Sequence, residues 1–154
     1  MEDQKQYYLY PSSIIIRNEG LIQTILGSCV AVCLFDRKSK RGGMNHFMLP
    51  FWNGEGLETP RYGNVAIPKL IADMLDSGSQ KRDLIAKLFG GGKIIGEENS
   101  FFHVGEKNID IAIRLLNEFM IPVTASSTGG DRGRKIWFNP VTGEVVQQYI
   151  IKTS

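Results

Sequence analysis

A chain of 154 residues, 42% hydrophobic and 22% charged, is long enough for one domain with a real core. Its net charge of +2, from 18 basic and 16 acidic side chains, argues against a nucleic-acid surface or steering toward a polyanion. No apolar run approaches the roughly eighteen residues a membrane span needs, and no charged-then-apolar leader opens the chain, so the sequence predicts a soluble cytoplasmic protein without membrane insertion.

The first six residues are polar, and residues 1–8 are expected to fray. Ile14, Ile15 and Ile16 begin a β segment, and Leu21 to Leu26 forms a second. Val30 to Phe35 is a β-branched apolar run, and the polar, glycine-ended stretch 36–43 is its turn. Met44 to Leu49 returns as the next strand, so the two pair as a hairpin and carry His46 back toward Cys29; Pro50 stops the strand. Residues 51–63 read as a loop whose Phe51, Trp52 and Tyr62 either anchor it on the core or wall a cleft. Ile67, Leu70, Ile71, Met74 and Leu75 keep helical spacing over 64–76. Asn64 is a plausible N-cap, Pro68 is expected in the first turn, and Gly78 closes the helix. Leu84 to Phe89 is a strand ending at Gly90-Gly91-Gly92. The triplet followed by Lys93 is not a phosphate loop, because Ile94 stands where that loop needs Ser or Thr. Ile109, Ala112, Ile113, Leu116 and Phe119 mark a second amphipathic helix over about 106–119, with Glu106 and Asp110 suited to its N-terminal dipole. Ile121 to Ala125 is a strand. Lys135 to Phe138 and Val145 to Ile151 close the chain as a hairpin around the turn 139–143. Strands, then helix–strand units, then a hairpin indicate a single α+β domain over 1–154, with β-strands packed on about two amphipathic helices. Lys38, Lys40 and Arg41, like Arg132, Arg134 and Lys135, sit beside glycines and read as solvated turns.

The chemistry concentrates in Leu26-Gly27-Ser28-Cys29-Val30-Ala31-Val32 and in Gly42-Gly43-Met44-Asn45-His46-Phe47. Cys29 stands where a glycine turn meets an apolar strand, and turn N–H groups there favour a thiolate. A histidine within reach makes a Cys–His pair, the minimum for thiol acyl chemistry; the competing reading is a cysteine that merely packs. The Cys29 N–H and a second nearby donor would hold an oxyanion, and Gly27 and Ser28 are small enough to admit a glutamine side chain, or else form an ordinary tight turn. Cys33 falls on the same strand face as Cys29, about 13 Å away when extended, too far for a disulfide, and reads as core packing. Cys29, Cys33, His46 and His103 have poor spacing for zinc; His103 reads as a structural or surface histidine, and no metal site or cofactor is expected.

The blocks LGSCVAVCLFD (26–36) and GGMNHFMLP (42–50) resemble the chemoreceptor glutamine deamidase family of bacterial chemotaxis. RYGNVAIPKLI (61–71), KLFGGG (87–92), VGEKNIDIA (104–112) and STGGDRGRKIWFNPVTGEV (127–145) follow in that family's order. The resemblance implies a layered sandwich like that of the cytotoxic necrotising factor type thiol deamidases. It implies a protein-glutamine glutaminase whose Cys29 and His46 convert receptor glutamines to glutamates and release ammonia, with methyl-ester cleavage in some members. The implied partners are the cytoplasmic helical region of methyl-accepting chemotaxis receptors and a CheC-type phosphatase. The alternative reading is a weakly catalytic or non-catalytic regulator of that phosphatase. A third group should orient the histidine. The family pattern has a threonine six residues before the cysteine, where this chain has Gln23, with Thr24 next. Gln23 is expected to accept the imidazole N–H, because alternation along the strand turns Thr24 to the opposite face; Thr24 stays a candidate if the register differs.

Overall fold

The computed structural model describes residues 4–94 and 103–151. Its strands are β1 (Gln6–Tyr8), β2 (Ile14–Arg17), β3 (Leu21–Leu26), β4 (Val30–Asp36), β5 (Arg41–Asn45), β6 (Leu84–Gly90), β7 (Val123–Thr128), β8 (Arg134–Phe138) and β9 (Val145–Tyr149). Its helices are α1 (Gly63–Asp76) and α2 (Val104–Glu118). The strands form two mixed sheets, in the orders β1-β3-β8-β9 and β2-β5-β4-β6-β7. The α+β expectation holds, with two helices and two sheets among the described residues.

Strand β4 is the centre of the molecule. All seven of its residues are buried, so it is covered on both faces. Val30, Val32 and Leu34 point to one side, where they join Ala66, Ile67, Leu70 and Met74 of α1 and Ile111, Ala112 and Leu116 of α2. Ala31, Cys33 and Phe35 point to the other side and meet Ile22, Leu26, Ile136 and Phe138 of the four-stranded sheet. The layers therefore run helices, five-stranded sheet, four-stranded sheet. Cys33 lies in the core between the sheets, as its apolar neighbours predict, and burial pushes its thiol pKa far up. Burial is fully alternating in β3, where Ile22, Thr24 and Leu26 are covered and Ile25 is exposed.

Several boundaries moved. Gln6–Tyr8 does not fray: it pairs in parallel with Leu21–Gln23 of β3, because that sheet edge offers free backbone groups. The β4–β5 hairpin forms, with Cys33 opposite Met44 and Asp36 opposite Arg41. However, β5 ends at Asn45, and beyond it only the bridge between Val30 and Phe47 continues the pairing. Helix α1 is capped by backbone: Gly63 N–H donates to the Leu49 carbonyl at 2.8 Å and Asn64 N–H to that of Pro50 at 3.1 Å. Tyr62 is the N-cap, without a side-chain bond, while Asn64 Oδ1 accepts the Trp52 N–H instead. With the helix starting at Gly63, Pro68 falls beyond the first turn. Strand β7 begins two residues later than expected, since the Pro122 carbonyl first takes the Ala86 N–H. Arg134 does not sit at a solvated turn. It is 1% exposed, donates to the carbonyls of Ser127 and Gly129, and lies 5.3 Å from the Tyr149 ring centre.

Asp36 fastens the hairpin turn. Its carboxyl is 2% exposed, and Oδ1 accepts the N–H groups of Lys38 and Ser39 at 2.9 and 3.0 Å. Burial raises its pKa, but hydrogen bonds from Ser39, Ser79 and the Ser39 and Lys38 backbone prevail and hold it at about 2. A folded pKa below the unfolded value of 3.8 stabilises the protein above that value, and the contribution is lost as pH falls through about 2. Asp36→Asn should cost about 1–2 kcal/mol at neutral pH by urea unfolding. The gap from wild type should close between about pH 4 and pH 2; a gap that persists unchanged to pH 2 would contradict the assigned role of the carboxylate.

Candidate active site

Cys29 immediately precedes β4, and His46 immediately follows β5. Between them Val30 and Phe47 exchange backbone hydrogen bonds, 3.1 Å from Val30 N to Phe47 O and 3.0 Å in return. Both Val30 and Phe47 face the helices. Side chains one step away face the opposite side, so Cys29 and His46 both point into the space between the sheets as diagonal neighbours. Such neighbours lie about 7–8 Å apart at their Cα atoms, with side chains closer. Cys29 is half-buried and packs against the inter-sheet core, in keeping with that direction. Neither cysteine is in a disulfide.

The local break in pairing has a chemical cause. The Val32 N–H, which a regular ladder would send to the Asn45 carbonyl, goes to Asn45 Oδ1 at 2.8 Å. Asn45 Nδ2 in turn donates to the Ala66 carbonyl of α1 at 3.2 Å, so this buried amide is wedged between strand and helix. His46 itself is anchored by its carbonyl, which accepts the Ser12 N–H at 2.7 Å.

His46 is 2% exposed, and its Nδ1 lies 2.7 Å from Thr24 Oγ1. The direction of this bond follows from a second one. Thr24 Oγ1 also stands 2.7 Å from the Leu9 carbonyl, which can only accept. A hydroxyl has one proton, and here it goes to Leu9. Thr24 must therefore accept from His46, so Nδ1 carries the ring proton and Nε2 carries the lone pair. Nε2 is buried and has no hydrogen-bond partner among the described residues. Burial also lowers the imidazole pKa to about 4, which keeps the ring neutral at physiological pH. A neutral imidazole with a fixed tautomer and a buried lone pair is suited to take a proton.

This geometry corrects the expected third residue. Gln23 points out of the sheet, and its Nε2 donates to Gln6 Oε1 at 3.1 Å near the surface. Thr24 takes the place beside the imidazole because it shares the covered face of β3 with Ile22 and Leu26. The sequence alone does not separate the two faces: Leu21, Gln23 and Ile25 hold two apolar residues and one polar, as Ile22, Thr24 and Leu26 do, and only the packing of the sheets decides which is covered.

The glycine turn is tied on every side. The Gly27 carbonyl accepts the Gly92 N–H at 2.9 Å, and the Cys29 carbonyl accepts that of Gly91 at 2.9 Å. Gly90 has φ +106, and a Cβ there would stand 2.2 Å from the Cys29 carbonyl oxygen, so no other residue fits so close to the turn. The Ser28 side of the turn is held by Asn108 of α2, which sequence reasoning missed. Asn108 Nδ2 donates to the carbonyls of Ser28 and Met48, each at 3.0 Å.

The aromatic loop is held in place by its own bonds. The Trp52 ring N–H donates to the Glu55 carbonyl, and Phe51 is 49% exposed with the Arg114 guanidinium 5.7 Å from its centre. His103 is an exposed residue at the start of α2, 3.9 Å from Glu106. The Phe101 and Phe102 beside it lie outside the described residues. No three His, Cys, Asp or Glu side chains converge among the described residues. Nor is any helix among them long and apolar enough to cross a membrane.

Comparison with known proteins places this geometry in a family. Residues 48–149 match the family described as CheD chemotactic sensory transduction. A protein of Sulfurimonas denitrificans named probable chemoreceptor glutamine deamidase CheD is 48% identical over 155 residues, covering 99% of either chain. One of the same name from Trichlorobacter lovleyi is 46% identical over 143 residues, covering 92% of this chain and 89% of the relative. Probable chemoreceptor glutamine deamidase CheD 1 of Anaeromyxobacter dehalogenans is 43% identical over 135 residues, covering 87% and 78%. The family match begins after the histidine, but the first of these relatives spans the Cys29 turn and the Thr24 strand as well, and on both grounds the chain belongs to the CheD family.

Proposed function

We propose that this protein is a chemoreceptor glutamine deamidase in which Cys29 is the nucleophile, His46 the general base and acid, and Thr24 the residue that orients His46. The observation that carries the roles is the relay from His46 Nδ1–H to Thr24 Oγ1 and on to the Leu9 carbonyl, which leaves Nε2 as the proton acceptor on the face that Cys29 shares.

His46 Nε2 takes the Cys29 thiol proton as the sulfur attacks the side-chain carbonyl carbon of a receptor glutamine. The resulting oxyanion is nearest to the N–H of Cys29 itself, the usual donor in acyl-transfer sites of this kind. The imidazolium returns its proton to the leaving nitrogen, ammonia departs, and a thioester remains. Water then attacks the thioester while Nε2 accepts its proton, and the thiol is regenerated with a glutamate in place of the glutamine. No step needs a redox cofactor. The burial that lowers the imidazole pKa makes the charged intermediate of this cycle short-lived, because the ring favours its neutral form. The proposed substrate is the cytoplasmic helical region of a methyl-accepting receptor. A CheC-type phosphatase is the proposed second partner, on the family resemblance alone.

Incubation with a receptor cytoplasmic fragment followed by mass spectrometry should show a gain of about one mass unit at particular glutamines, the replacement of NH₂ by OH. Cys29→Ala should abolish that gain while keeping the fold, and Cys33→Ala should retain it. Undiminished deamidation by Cys29→Ala would end the enzymatic assignment.

The relay predicts an asymmetry between neighbouring positions. Thr24→Val removes the acceptor for Nδ1–H and should slow turnover by about 10–100-fold, or roughly 1.4–2.7 kcal/mol. Gln23→Ala should stay within about twofold of wild type. Steady-state rates on the receptor fragment decide this, and the reverse order would place the orienting role on Gln23.

The acid limb of the rate should also betray burial. The base must be neutral to work, and its pKa is lowered to about 4, so kcat/KM should hold its value down to about pH 5 and fall only toward pH 4. An acid limb centred near 6.5 would show a solvated imidazole instead.

A further inference from the structure

Helix α2 buries Val104, Gly105, Ile111, Ala112 and Leu116 along one face, and Asn108 occupies the middle of that stripe with no exposed surface. A buried amide in an apolar stripe is costly unless hydrogen-bonded. Both carbonyls that Asn108 meets belong to the active segments, 80 and 60 residues away in sequence. Since both partners can only accept, the NH₂ group must face them. Both of its protons are used, whereas Oδ1 is buried with no partner among the described residues. The side chain therefore acts through its two N–H groups alone.

We infer that Asn108 is a positioning residue for the reaction: it fixes the Ser28–Cys29 peptide and ties it to the segment that carries His46. The inference rests on the deamidase reading only for its kinetic test. The Ser28 carbonyl belongs to the peptide bond that ends at the Cys29 nitrogen, and that bond is planar and trans. Holding its oxygen on the α2 side sets the plane and turns the Cys29 N–H to the opposite side. The following peptide is held independently, since the Cys29 carbonyl accepts the Gly91 N–H. Cys29 is thus fixed at both flanking peptides, with Asn108 supplying the first. The second bond, to Met48, lies two residues past His46 and joins the same helix to the segment that follows β5. One amide from α2 therefore sets the spacing between nucleophile and base.

Asn108→Leu keeps shape and apolar packing but removes both donors, and Asn108→Asp replaces them with acceptors facing two carbonyls. In either variant kcat on the receptor fragment should fall by at least about tenfold with KM within about twofold. The pH profile of Cys29 alkylation by iodoacetamide, followed by mass spectrometry at that residue, should move to higher pH, because the turn N–H groups that favour the thiolate lose their fixed orientation. A purely architectural role would lower the melting temperature and leave the alkylation profile and the kcat of folded protein unchanged; a folded Asn108→Leu with that behaviour overturns the inference. Should neither variant fold, the wild-type side-chain amide of Asn108 answers by NMR. Slow proton exchange and a resonance that shifts on alkylation of Cys29 are expected, whereas fast exchange or an unmoved resonance overturns the inference. Failure of the wild-type protein to deamidate the fragment would sink the deamidase reading, and the alkylation profile would still decide the role of Asn108.

Discussion

The hydroxyl of Thr24 is asked for two hydrogen bonds and has one proton to give, and the arrangement of the site depends on where that proton goes. Because it goes to the Leu9 carbonyl, the imidazole must donate from Nδ1, and the opposite nitrogen is left as a base. Leu9 lies just past the short first strand, Thr24 is on the four-stranded sheet, and His46 follows a strand of the five-stranded sheet. The tautomer of one ring is thus set by the packing of two sheets. A loop could hold an imidazole, but two sheets hold it with far less freedom, and catalytic geometry tolerates little displacement.

The same division of labour governs the cysteine. Strand β4 is buried along its whole length, and Cys29 begins where that burial begins. The turn before it, Gly27-Ser28, brings the chain into that packed strand. The turn is held by bonds from Gly91, Gly92 and Asn108, drawn from just past the end of β6 and from α2. Elements distant in sequence therefore meet at the turn, consistent with a site that forms only when the whole domain has folded.

The placement of Cys29 and His46 on adjoining ends of a hairpin was legible, because a β-branched run, a glycine-ended turn and a second short run specify one locally. The α+β class was legible for the same reason: alternation and helical spacing are local signals. Thr24 escaped the sequence pattern because each face of β3 holds two apolar residues and one polar, so a spacing counted from the cysteine decided between them, and one residue of offset reverses a strand face. Asn45 and Asn108 left no periodic trace. Each is a polar residue at a position where the pattern asks for an apolar one, and only the tertiary structure supplies the carbonyls and N–H groups that make it tolerable. The early strand β1 escaped notice because three polar and aromatic residues carry no burial pattern of their own and pair only when β3 is present. Arg134 was misread for a related reason, since a guanidinium is buried only where carbonyls such as those of Ser127 and Gly129 converge on it.

The burial of His46 also reaches beyond the reaction. A chain released from the fold recovers an imidazole that binds a proton below about pH 6.5, while the native ring refuses it until about pH 4. Across that interval unfolding takes up a proton at this ring, so its burial adds to the pull of acid toward the open chain. Mild acidity would then erode the stability of the folded protein before it titrated the ring within it. The buried ring is in this sense an acid-labile joint of the fold, and its burial costs the native chain least above about pH 6.5.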